Sequence, residues 1–222
     1  MITPLSTQDI ARRVAADIVE GAYVNLGIGL PMLVADQIPP GREFVLHSEN
    51  GLLGMGPAPL PAAANPDLIN AGKQPVTILP GGSFFHHADS FAMIRGGHID
   101  VSILGAYQIA ANGDLANWAL PGAKLPAVGG AMDLVAGAKQ VWVMLAAHVA
   151  KDGQPRVVER CNLPLTGLAC VDRIYSDLAV IEVTPEGLLV TDLLAGLTPE
   201  ALQAKTGATL RFAQNYRVLR AT

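Results

Sequence analysis

Charge is scarce in this sequence. Only 15% of its 222 residues are charged, and acidic side chains outnumber basic ones by 19 to 15. A net charge of -4 leaves no basic footprint, so neither nucleic acid nor an anionic membrane is expected as a partner. Two cysteines, Cys161 and Cys170, are too few for a disulfide framework and lack metal-ligand spacing. Long apolar runs are missing too. A spanning helix needs roughly 20 consecutive apolar residues, and the longest uncharged stretches, Asn50 to Pro66 and Gln74 to Phe85, are broken by Gly and Pro. The positive mean hydropathy of +0.35 is therefore read as core rather than membrane. Met1 to Glu20 carries Asp9 and no apolar h-region, so it is not read as a signal peptide, and the expected compartment is the cytoplasm.

What is present is apolar residues, at 50%, with 23 glycines and 16 prolines in no repeating period. That excludes a disordered chain, a coiled coil and a disulfide-stapled miniprotein. The length fits a single domain over residues 1–222 with a substantial core. So few charges for the surface of a free monomer point to one component of a larger assembly.

The first element reads as a helix. Ile10, Val14 and Ile18 line one face with Ala11, Ala15 and Val19, Ser6 and Asp9 suit a capping box, and Gly21 suits the stop. A buried strand over Tyr23 to Ile28 leads through Gly29-Leu30-Pro31 to a short helix ending near Gln37. Further strands are expected at Phe44 to Ser48, Val76 to Leu79, Ile99 to Leu104, Val141 to Leu145 and Leu178 to Val183. Helices are expected over Ser90 to Arg95 and from Thr198-Pro199-Glu200 onward. Short apolar strands alternating with helices predict one open three-layer α/β domain with a mostly parallel sheet.

Glu49 stands out on position alone. It is the only charged residue from Phe44 through Pro66 and directly follows a buried strand, where sites gather in open α/β sheets. A carboxylate desolvated there gains nucleophilicity; alternatively, Ser-Glu-Asn-Gly is good turn chemistry and the carboxylate caps local N–H groups. Leu26-Gly27-Ile28-Gly29-Leu30-Pro31 places two glycines between strand and helix, a loop that lets backbone N–H groups approach phosphate, carboxylate or an oxyanion. Glu49 also stands about where a dinucleotide site wants its acidic residue, but Met32 occupies the place of the third glycine. His86-His87-Ala88-Asp89 invites a metal reading. Adjacent residues on an extended chain point to opposite faces, however, so core packing or anion recognition competes with it. Arg95-Gly96-Gly97-His98 is a second cationic cluster, where Arg95 suits either a carboxylate or a helix C-terminus. Gly129-Gly130-Ala131-Met132-Asp133 reads as a second backbone nest before a helix, or as a plain loop demanded by packing.

His47-Ser48-Glu49-Asn50-Gly51, continuing through Leu52-Leu53-Gly54-Met55-Gly56-Pro57, resembles the signature of the B (beta) subunits of class I coenzyme A transferases. So do Val24-Asn25-Leu26-Gly27-Ile28-Gly29-Leu30-Pro31, Asp67 to Lys73, Ser90 to His98, Gly113 to Trp118, Gly129 to Leu134 and Pro164 to Gly167. The resemblance spans nearly the whole chain and implies the Rossmann-like fold of that family. It implies ping-pong transfer through a glutamyl-CoA thioester on Glu49, with the Gly130 backbone N–H stabilising the oxyanion. Gly27 and Gly29 would lie against CoA or the acyl group, and Asn50 and Gly129 would complete the binding surface. No metal and no further cofactor is implied, CoA being a substrate. The implied partner is an A (alpha) subunit closing the site, in a heterodimer or heterotetramer.

Phe84 to Phe91 and Leu125-Pro126-Ala127-Val128-Gly129-Gly130 look more like the members that use 3-oxoadipate, in aromatic-compound degradation, than those that use acetoacetate. His86 and His87 would then receive the distal carboxylate that acetoacetate lacks. Acetoacetate transfer is the alternative, and a non-catalytic acyl-CoA or dinucleotide-binding module is the remote one.

Overall fold

The computed structural model describes residues 2–39, 41–122 and 127–221; Leu125-Pro126 of the acceptor-related motif lies outside them. Helix α1 (Thr7–Asp17) starts on a reciprocal capping box between Ser6 and Asp9 and buries Ile10, Ala11, Val14 and Ala15. It stops at Asp17, and Ile18 is already extended. Val19, expected on the buried stripe, is thereby turned out to solvent. β1 (Tyr23–Leu26) ends two residues before the expected boundary, because the chain turns through Gly29 at φ +91°. The following Leu30–Gln37 segment is a 3-10 helix with Pro31 in its first turn.

β2 (Val45–Ser48) and β3 (Leu52–Met55) form an antiparallel hairpin that apolar periodicity alone does not reveal, since both are four residues long. β4 (Ile78–Phe84) begins where the expected strand ends, and α2 (His87–Arg95) starts three residues early because His86 caps it. β5 (Val101–Gly105) follows, then two short strands, β6 (Gln108–Ala110) and β7 (Leu115–Ala116). α3 (Ala131–Gly137) leads into β8 (Gln140–Met144). β9 (Val157–Val158), β10 (Arg173–Tyr175), β11 (Ala179–Thr184), β12 (Gly187–Leu194), α4 (Pro199–Gln203) and β13 (Leu210–Leu219) complete the order.

Ten strands form one sheet in the order β13-β12-β11-β10-β8-β5-β1-β2-β3-β4, while β7, β6 and β9 form a small second one. The central five, from β10 to β2, are parallel throughout; the arms on either side are largely antiparallel. The layering follows from register. Leu26, Ile103, Trp142 and Arg173 are paired across neighbouring strands and so share a face. Arg173 on that face reaches Asp17 of α1. Asn25 and His47, paired with each other, lie on the opposite face, where His47 meets Ser90 of α2. α1 with the 3-10 helix on one side and α2 with α3 on the other make three layers. The carboxyl ends of β2, β1, β5 and β8 then stand in a row at one edge. No helix among the described residues is long and apolar enough to cross a membrane.

Candidate active site

Glu49 sits on the turn between β2 and β3, where Ser48 pairs with Leu52. The turn is held rigidly. Gly51 adopts φ +113°, donates its N–H to the Ser48 carbonyl and accepts from the Phe85 N–H, each at 3.0 Å. A Cβ on Gly51 would stand 2.2 Å from the Phe85 carbonyl oxygen, so only glycine fits. Asn50 does not point into the cleft with Glu49; its Nδ2 donates to the Ile69 carbonyl at 2.7 Å. The Ser48 hydroxyl accepts from the Ala71 N–H at 3.0 Å. The Asp67 to Lys73 segment therefore braces the base of the turn.

The half-buried Glu49 carboxylate accepts a hydrogen bond from Asn25 Nδ2 at 3.2 Å. Asn25 is fully buried, and the same nitrogen lies 3.1 Å from His47 Nδ1. The carboxylate fixes the amide orientation, because an amide oxygen there would face a negative charge. His47 Nδ1 must then accept, which puts its proton on Nε2, directed at the Ser90 hydroxyl 2.9 Å away. Burial pushes the His47 pKa down to about 4, so the ring stays neutral near pH 7. The result is a neutral chain, Ser90 to His47 to Asn25 to Glu49. It aims a donor at the carboxylate without placing a cation beside it.

Glu49 opens onto a cleft of about 500 Å³ at the strand ends. Gly27, Gly129 and Gly130 line the same cleft. Gly27 donates its N–H to the Ile103 carbonyl at 2.8 Å, and a Cβ there would lie 2.9 Å from a Leu104 methyl. Gly130 is the N-cap of α3, so the ladder of the helix does not use its amide. A Cβ on Gly130 would come within 2.8 Å of the Phe91 ring. That ring is covered by His87 at 4.8 Å and by the Arg95 guanidinium at 5.7 Å. Arg95 in turn binds Asp133 at 2.6 Å and ties α2 to α3. Adjacent residues of one helix, Ser90 and Phe91, thus support the carboxylate and the Gly130 loop.

Gly29 faces open space and is not among the cleft-lining residues. The two histidines are also elsewhere. His86 is exposed and spends Nδ1 on capping α2 through the Ala88 N–H, while His87 packs on Phe91. Among the described residues lining the cleft the cation is instead Arg156, for which the sequence offers no motif, because the small sheet alone brings it there. Asn25 and His47 lie inside the family-like motifs, but neither residue type nor spacing assigns them a role. The available signal was a polar residue within a buried strand. The two thiols, pushed by burial up to about 11, stay protonated.

The family model described as coenzyme A transferase matches residues 7–203 of the chain. The chain is 60% identical over 208 residues to the B subunit of the 3-oxoadipate CoA-transferase of Pseudomonas putida, covering 93% of this chain and 96% of that one. It is 49% identical over 199 residues to the B subunit of the succinyl-CoA:3-ketoacid coenzyme A transferase of Helicobacter pylori, covering 90% and 95%. Among solved structures, the apoenzyme of the acyl-CoA transferase YdiF of Escherichia coli O157:H7 superposes with a TM-score of 0.75 at 19% identity. That match covers 99% of this chain but only 44% of the larger one, and it speaks to the fold. The chain belongs to the coenzyme A transferase family.

Proposed function

We propose that this member of the coenzyme A transferase family is the B subunit of a two-subunit enzyme that moves CoA from succinyl-CoA to 3-oxoadipate. The observation that carries the reading is Glu49, held by a neutral donor at the rim of a cleft whose other wall is the Gly129–Gly130 loop. A Glu49 carboxylate oxygen attacks the thioester carbonyl, and collapse of the tetrahedral oxyanion expels CoA thiolate and leaves a mixed anhydride. The thiolate attacks the glutamyl carbonyl and releases succinate, leaving CoA on Glu49 as a thioester. The acceptor carboxylate attacks that thioester and expels the thiolate. The thiolate then attacks the acceptor's acyl carbonyl and frees Glu49. No net proton is consumed.

A carboxylate suits this exchange, since its acyl derivatives are about as reactive as the substrates. The Gly130 amide serves the oxyanions, and the Asn25 amide holds the Glu49 oxygen that does not react. Binding of the long CoA moiety supplies energy expressed in the transition state. No metal or additional cofactor enters. An A subunit closes the cleft from its open side, and the enzyme works in the cytoplasm. The 60% identity to a 3-oxoadipate enzyme, against 49% to a 3-ketoacid one, favours the six-carbon acceptor.

The test is the ratio of kcat/KM for 3-oxoadipate over acetoacetate, with succinyl-CoA as donor. The chain is assembled with its A subunit, and the Glu49→Ala complex is the blank. A ratio well above one is expected; a ratio well below one assigns acetoacetate. Turnover of neither acceptor overturns the substrate assignment.

A further inference from the structure

The cleft holds two charged side chains among the described residues that line it, Glu49 and Arg156. Both are half-buried. They form no ion pair with each other, and among the described residues no carboxylate pairs with Arg156. Its Nη1 donates to the Ala106 carbonyl at 3.3 Å, with the Tyr107 carbonyl at 3.5 Å, so the guanidinium is fixed just past the end of β5. The neighbouring polar side chains are occupied inward. Asn117 donates to the Gly105 carbonyl and accepts from Thr166, and the Trp118 indole donates to the Leu165 carbonyl. A half-buried cation with no anionic partner is costly, and a ligand carboxylate received bidentately relieves that cost.

Resting on the transferase reading above, we infer that Arg156 binds the non-reacting carboxylate of a dicarboxylic acyl group while the other end is joined to Glu49. Sheet geometry supports the reach. The end of β2, which carries Glu49, and the end of β5 are separated by β1 alone, about 10 Å along the row of strand ends, and both side chains border the intervening cleft. A short aliphatic diacid fits between them. The phosphates of CoA lie at the far end of the pantetheine arm from the reacting sulfur, which disfavours them as the anion at Arg156.

The test compares succinyl-CoA with butyryl-CoA, which has the same chain length and no second carboxylate, as donors to the assembled complex. In a ping-pong scheme kcat/KM for the donor reports the first half-reaction alone. Arg156→Gln is expected to lower kcat/KM for succinyl-CoA by roughly 10- to 100-fold while butyryl-CoA loses far less. Arg156→Lys is expected to restore part of the discrimination. Equal losses with both donors, or no loss with either, overturn the inference while leaving the transferase reading intact. A wild-type complex that transfers CoA from neither donor overturns both. Co-purification of the variant with the A subunit and an unshifted melting temperature establish that Arg156→Gln folds.

Discussion

The two faces of the central sheet use polar groups in opposite ways. On the face of α1, charges are concentrated and paired. Asp17 accepts from Arg13 at 2.6 Å, from Arg173 at 3.2 Å and from the Tyr175 hydroxyl at 2.9 Å. Asp192, 1% exposed, takes Arg13 and Arg217, and Arg173 also meets Glu182. On the face of α2, the polar chain from Ser90 through His47 to Asn25 is neutral and ends on the single charge of Glu49. The first arrangement neutralises its carboxylates and locks α1 to β10 and β12. The second positions a carboxylate while leaving its charge uncompensated, which is what a nucleophile requires. The same side-chain type is ion-paired on one face and held by a neutral donor on the other, according to whether its neighbours carry charge.

The comparison breaks most sharply at Glu49 itself. Glu49→Ala is expected to lower the transfer rate by about 10⁴-fold or more with little change in melting temperature; initial rates and a thermal melt on the same complex check both. Asp17→Ala should behave in the opposite way. It leaves Arg13 with Asp192 and Arg173 with Glu182 but removes their shared carboxylate and the acceptor of the buried Tyr175 hydroxyl, and is expected to cost roughly 2 kcal/mol of stability, read from the urea midpoint, with kcat nearly kept. Asn25→Ala is expected to cost about 10²-fold in kcat and to leave KM for succinyl-CoA within a small factor. A change confined to KM would assign Asn25 to binding rather than positioning.

The histidines sharpen the contrast through pH. His47 and His148 are buried, each with its pKa lowered to about 4 by burial. The unfolded chain takes up those protons near pH 6.5 and the folded chain does so only near pH 4. Stability therefore falls as pH drops through that window, by up to about 1.4 kcal/mol per pH unit for each ring. His47→Gln should remove one share of that slope in a pH series of denaturation curves, and an unchanged slope would contradict a neutral His47. The smallest effect is expected at His86. Its alanine variant loses a helix cap, about 1 kcal/mol, and should slow transfer to 3-oxoadipate and to acetoacetate alike.

Much of this was legible in the sequence, and the rest was not for physical reasons. Glu49 is legible because an isolated charge after a mainly apolar strand is visible without coordinates. Of the hairpin that flanks Glu49, β2 matches the expected Phe44 to Ser48 strand, whereas β3 is not legible because Gly54 interrupts its four-residue apolar run. His86 and His87 are legible as a cationic pair, but their contacts are not: His86 caps α2 through Nδ1 and His87 packs on the Phe91 ring, and neither is set by the local sequence pattern. Arg156 was silent because its place in the cleft is set by pairing β9 beside β6, contacts far apart along the chain.

Covalent attachment of CoA to Glu49 is the central step of the proposed mechanism. The most direct measurement is mass spectrometry of the complex mixed with succinyl-CoA in the absence of any acceptor, followed by digestion. The predicted result is CoA on the peptide containing Glu49, lost on addition of the acceptor acid and absent from the Glu49→Ala chain. CoA attached to another residue, or an adduct that survives Glu49→Ala, would contradict it.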